Sequence, residues 1–143
     1  MKRTPFVLAL FVFAALVGLA CEPAAPIKTA SGERIGGVSF EERFPLSNDG
    51  HETTLRGDKL RKAVEQMDRA GVIAMTGNYE AKGVLDKSTL VLTVTTDDKR
   101  ERVLVVKNCA EPHLCAFFAE AVKSGIVERL PVVCRDGLAC VKK

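Results

Sequence analysis

The sequence predicts an α+β, mostly β domain: a five-stranded barrel with the order βββαββ, preceded by one amphipathic helix. Three observations lead there. Apolar residues recur at helical spacing over residues 58–70 and again over 111–124. Between those stretches the period shortens to two, in runs rich in Val, Leu and Thr. After the second helix, two further β-prone runs flank an Arg135-Asp136-Gly137 turn signal.

In chain order, the first folded element is the helix over Asp58 to Ala70, with Leu60, Ala63, Val64 and Met67 on one face. Asp58 suits the positive end of the helix dipole and Gly71 a left-handed stop. Asp58 and Lys62, like Glu65 and Arg69, stand four apart, the spacing of helical ion pairs. Three strands follow: Val72 to Ala81, Thr89 to Thr95 and Arg102 to Lys107, expected as an antiparallel meander. The charged stretch Thr96 to Glu101 reads as the hairpin loop between the last two. Val84-Leu85 could continue the first strand past a bulge at Gly83. The second helix starts at Pro112, which suits the first helical turn, and stops at Gly125. Its broad apolar face of Leu114, Phe117, Phe118, Ala121 and Val122 is expected to plug a core. Glu128 to Arg135 and Leu138 to Lys142 close the chain as a hairpin.

Strand, strand, strand, helix, strand, strand is the connectivity of the OB-fold, and the rival is an open α+β sandwich with the same five strands in one sheet. From Val72 onward the chain resembles the OB-fold domains of bacterial envelope proteins, of the tRNA-anticodon-like group. The residues that carry the resemblance are Met75-Thr76-Gly77, the cysteine-flanked helix, Leu130-Pro131-Val132-Val133-Cys134 and the final Leu138-Ala139-Cys140.

Upstream, Lys2 and Arg3 precede an apolar run from Phe6 that ends at Gly18-Leu19-Ala20-Cys21. A basic end, a short apolar run and small residues before the break are the parts of an export signal. The run is shorter than the roughly 20 residues of a membrane span. A cysteine at the new N-terminus resembles the lipid-acceptor residue of bacterial lipoproteins, with Gly18 standing where that family usually has Leu. An ordinary cleaved signal is the alternative, since Gly18 and Ala20 also satisfy the small-x-small rule. The expected organisation is therefore a signal over residues 1–20, a polar tether over 21–56 and one domain over 57–143. Prolines 23, 26 and 45 and glycines 32, 36 and 37 mark the tether, on which Val38, Phe40 and Phe44 could dock as a short extended piece. Localisation follows: the bacterial cell envelope, lipid-anchored through Cys21 and facing the periplasm or exterior.

Five cysteines in an exported chain leave one unpaired. Lipid on Cys21 resolves the parity, leaving Cys109, Cys115, Cys134 and Cys140 for two disulfides. Local pairs, 109 with 115 and 134 with 140, would pin the helix entry and the last hairpin, and the hairpin favours them. Crossed pairs would tie the helix to the C-terminal strands. Zinc is a weak alternative despite His113 between two cysteines, because the spacing is wide and an oxidising compartment favours disulfides. No Cys-x-x-Cys is present for dithiol redox chemistry.

Chemistry-bearing patterns are sparse. There is no Gly-x-Ser-x-Gly and no phosphate-binding glycine loop. His51 falls in the tether and His113 at a helix start, while Glu41, Glu42, Asp97 and Asp98 read as solvated surface. No enzyme, metal or cofactor is expected. Removing the first 20 residues, which hold Lys2 and Arg3 and no acid, lowers the formal charge from +3 to +1. With one Tyr, no Trp and so little charge, no nucleic-acid partner is expected. The expected function is a lipid-anchored periplasmic binding or adaptor module for an envelope protein or small ligand, with Lys99, Arg100 and Arg102 as the candidate partner loop. The alternative is an inhibitor or exclusion-type lipoprotein that blocks an envelope enzyme or uptake system.

Overall fold

A computed structural model describes residues 25–45, 47, 49–83, 88–135 and 138–143. The signal and Cys21, together with Val84, Leu85, Asp86, Lys87, Asp136 and Gly137, lie outside them. The elements are β1 (Ile27–Lys28), β2 (Arg34–Arg43), β3 (His51–Leu55), α1 (Gly57–Ala70), β4 (Gly77–Glu80), β5 (Thr89–Thr96), β6 (Glu101–Lys107), α2 (Pro112–Lys123), α3 (Val132–Arg135) and β7 (Val141–Lys142). The strands form one open sheet in the order β1-β2-β5-β6-β4-β7, with β3 also on β2.

This corrects the barrel. Among the described residues the two ends of the sheet are not joined, so the fold there is a mixed α/β sheet of seven strands with three helices, and the OB-like connectivity does not hold. Two segments account for the difference. Residues 34–43, read as tether, form the longest strand, and β2 pairs on one side with β5 from Ile35↔Thr96 to Arg43↔Thr89. Gly36 and Gly37 do not loosen it. They sit at a register shift after Ile35, where a Cβ on Gly36 would stand 3.3 Å from the Thr96 carbonyl oxygen, a tight approach that favours a residue without one. On its other edge β2 carries β1 and β3 end to end, through Ile27↔Ile35 and Val38↔Leu55 to Glu42↔His51.

The second segment is 128–135. Its β-branched residues predict a strand, yet Val132–Arg135 is a short helical turn after Pro131, tied by Cys134 to α2. The final hairpin is absent among the described residues. Ala139 bridges Ala110 and β7 pairs with β4. Nor is there a three-strand meander: β5 and β6 form the expected hairpin, but β4 runs parallel to β6 on its far side and begins only at Gly77.

Both long helices fall where the apolar period places them. Gly71 takes the left-handed conformation (φ 75°) and ends α1, while the Glu111 carboxylate accepts the Leu114 N–H at 2.7 Å and opens α2 ahead of Pro112. Alternation along β5 buries Leu90, Leu92 and Val94 on one face of the sheet, joined by Val38, Leu104 and Val106. The helices cover that face with Leu60, Val64 and Met67 from α1 and Leu114, Phe117 and Phe118 from α2. Arg69 pairs with Glu120 of α2 at 2.8 Å rather than with Glu65, and Gln66 donates to Ser124 at 2.9 Å, so polar bonds flank the packed helix seam.

Candidate functional site

Along β2 the alternation places Val38, Phe40 and Glu42 on the helix-covered side, and on β3 it places Leu55, Thr53 and His51 beside them. Beside β3, Lys59 of α1 and the connection from α2 to α3 border a cleft of about 240 Å³. Phe40, Ile126, Val127 and Pro131 supply its apolar surface; Glu42, His51, Thr53, Lys59, Glu128 and Arg129 supply its polar one. Phe40 stands edge-on to Phe118 of the core, ring centroids 5.3 Å apart, so the cleft floor is continuous with the packed interior.

Glu42 fixes the far wall. Its side chain is only 10% exposed, and its Oε1 accepts the Val132 backbone N–H at 2.7 Å while Oε2 meets Arg129 Nη2 at 3.5 Å. A buried carboxylate needs such partners. The Cys115–Cys134 disulfide, with Cα atoms 5.4 Å apart, ties α2 to α3 and closes the segment that contains this wall. Two covalent or charge-assisted anchors therefore hold a connection that has little regular structure of its own.

The four downstream cysteines are paired as Cys109–Cys140 and Cys115–Cys134. The crossed arrangement replaces the favoured local one. The hairpin that would have set Cys134 against Cys140 does not form, and α3 carries Cys134 to the first turn of α2 instead. His113 faces the α2 cap, with Nδ1 3.1 Å from Glu111 Oε1. No group of His, Cys, Asp and Glu among the described residues is arranged to hold a metal.

The structure does not gather Lys99, Arg100 and Arg102 into one contact site. Arg102 forks onto Glu33 at 2.7 and 3.0 Å, between the β6 start and the β1–β2 turn. Arg100 holds Asp98 at 2.7 Å, and neighbouring Asp97 holds Arg34 at 3.1 Å. The Thr96 hydroxyl, which donates to Asp98, and Arg100 together keep that carboxyl below its ordinary range. The loop is thus largely neutralised within itself, and Lys99, at φ 66°, sits in its left-handed corner.

The cleft residues went unread in the sequence because the tether reading hid them. Glu42 was placed on solvated surface and His51 in a linker; the first is buried and both belong to paired strands. A period of two over Val38, Phe40 and Glu42 was the available signal. Comparison with known proteins adds no relative: no family model matches the chain, and no curated protein or solved structure matches it.

Proposed function

We propose that the protein is a binding or adaptor module of the bacterial envelope, tethered through lipid on Cys21, and that the cleft beside β3 is its contact surface. The observation that carries the reading is the cleft itself: an apolar floor with convergent polar groups, held open by Glu42 and the Cys115–Cys134 bridge. Its size selects among ligands. At about 240 Å³ it is smaller than the roughly 300–1,000 Å³ of sites that enclose drug-sized molecules, and suits one or two side chains of a polypeptide. Two disulfides support an oxidising address for the folded domain. The internal pairing of Arg100 and Arg102 speaks against a blocking loop that inserts free charge, so the adaptor reading stands ahead of the inhibitor.

A photo-crosslinking residue placed at Thr53, in the cleft, or at Lys99, in the loop, tests the contact in cells that export the chain. Capture of one envelope protein from Thr53 and not from Lys99 is expected. Capture from Lys99 alone overturns the assignment. Intact mass of the same material should show diacyl or triacyl modification of Cys21 and a gain of four hydrogens on reduction; an unmodified chain with four free thiols removes the envelope reading.

A further inference from the structure

The cleft lies against an edge of the sheet that is itself incomplete. Among the described residues β3 pairs only with β2, so alternate N–H and C=O groups of His51–Leu55 point away from the sheet. His51, Glu52 and Thr54 are exposed and Thr53 is half-buried, so among the described residues no other element covers this part of the edge, while Leu55 at its end is buried. The same strand that offers unpaired backbone lends His51 and Thr53 to the cleft wall.

Charge is divided by the sheet at this edge. On the helix side Glu42 and Arg129 are committed to each other and Glu42 also to the Val132 N–H, which leaves Lys59 as the cation and the exposed Glu128 as the acid of the lining. On the opposite side Glu52 lies directly across from Glu41, whose carboxylate is taken up by Arg43 at 2.7 and 2.8 Å. Glu52 therefore carries an uncompensated negative charge beside a like one. A strand added here would meet Lys59 with its cleft-facing residues and Glu52 with the residues between them.

We propose that β3 receives an extended segment of a partner protein by antiparallel strand addition, with an acidic side chain directed into the cleft and a basic one next to it facing Glu52. This rests on the reading of the cleft as the contact surface and names the form of the partner. Backbone hydrogen bonds along β3 supply affinity, and the alternating pockets supply register and specificity. The pattern is also selective against the one-residue slip, because a shift by one would set the base toward Lys59 and the acid toward Glu52.

The test uses the full chain in detergent with both disulfides formed, and two labelled peptides, Val-Thr-Glu-Lys-Val-Thr and its uncharged twin Val-Thr-Gln-Gln-Val-Thr, which no register shift can restore. In antiparallel pairing the first sets its Glu opposite Thr53 and its Lys opposite Glu52. It is expected to bind about fivefold more tightly than the twin, as loss of the Lys–Glu52 cross-strand pair and of the attraction of the Glu to Lys59 implies. It should also slow hydrogen exchange at β3 amides. Lys59→Glu should erase or reverse the preference, and Lys99→Glu, on the distant loop, should leave it unchanged. Equal binding of the twins, or binding by neither, overturns the proposal. Binding that protects residues 126–131 but not β3 overturns strand addition while leaving the cleft reading intact. A dimer whose β3 amides are protected without peptide shows that a second copy fills the edge, and also overturns it.

Discussion

The Glu42 carboxylate accepts the backbone N–H of Val132 at 2.7 Å, a bond between residues 90 apart in sequence. It joins the central part of the sheet to the connection that walls the cleft. Glu42→Ala would leave the Val132 N–H without its acceptor and the Arg129 guanidinium without its partner. The expected cost is about 1 to 3 kcal/mol by urea unfolding. Glu42→Gln, which keeps an acceptor, should lose less than half of that. Equal losses for the two substitutions would show that the carboxylate charge, not the hydrogen bond, holds the wall.

Arg102 and Arg100 look alike in sequence but differ in setting. The Arg102–Glu33 fork is about one-quarter to one-third exposed and spans 69 residues, whereas Arg100 is 80% exposed and holds Asp98 two residues away. Arg102→Ala should cost about 1 to 2 kcal/mol, and Arg100→Ala less than about 0.5. Chemical denaturation of both variants at one ionic strength distinguishes them.

Lys99 occupies the left-handed region at φ 66°, where a side chain is disfavoured. The Lys99→Gly substitution should therefore raise stability by about 0.5 to 1 kcal/mol, since relief of the left-handed conformation outweighs the greater chain entropy of glycine. A fall in the denaturation midpoint would contradict the turn geometry.

The crossed disulfides close loops with sequence separations of 31 and 19 residues. Loop-closure entropy gives each bridge roughly 3 to 4 kcal/mol. Removing Cys115 and Cys134 together should lower stability by that order and expose the 126–131 segment to protease before the sheet. Peptide mapping without reduction checks the pairing: a fragment joining residues 109 and 140 is expected, and one joining 109 and 115 is not.

Acid sensitivity should begin below about pH 4.5. Hydrogen bonds from Arg43 lower the pKa of Glu41, those from Arg61 and Lys62 lower that of Asp58, and the Thr96 hydroxyl lowers that of Asp98. Each folded value lies below the ordinary one, 4.5 for Glu41 and 3.8 for the two aspartates. Each contribution is therefore present above that value and lost as the pH falls through the folded pKa. The groups are exposed, so the effect is small and screened by salt. The difference in thermal midpoint between the parent and its Glu41→Gln or Asp58→Asn variant should shrink as the pH falls below those values.

Local chemistry alone determined the two helices with their stops at Gly71 and Gly125, and the β5–β6 hairpin. In each, the signal lies within a few residues: apolar spacing, a left-handed glycine, alternation about a charged turn. Tertiary structure decided the rest. Gly36 and Gly37 read as breakers until β2 is set between β3 and β5, where the bulge brings Gly36 close to the Thr96 carbonyl oxygen and favours a residue without a side chain there. Val132 and Val133 read as strand until the Cys115–Cys134 bridge and the Glu42 bond draw them into a helical turn. The cleft belongs to that second category. Its walls come from residues 40–59 and 126–131, and neither stretch carries a pattern that names the other; only the sheet order and the crossed disulfide bring them together.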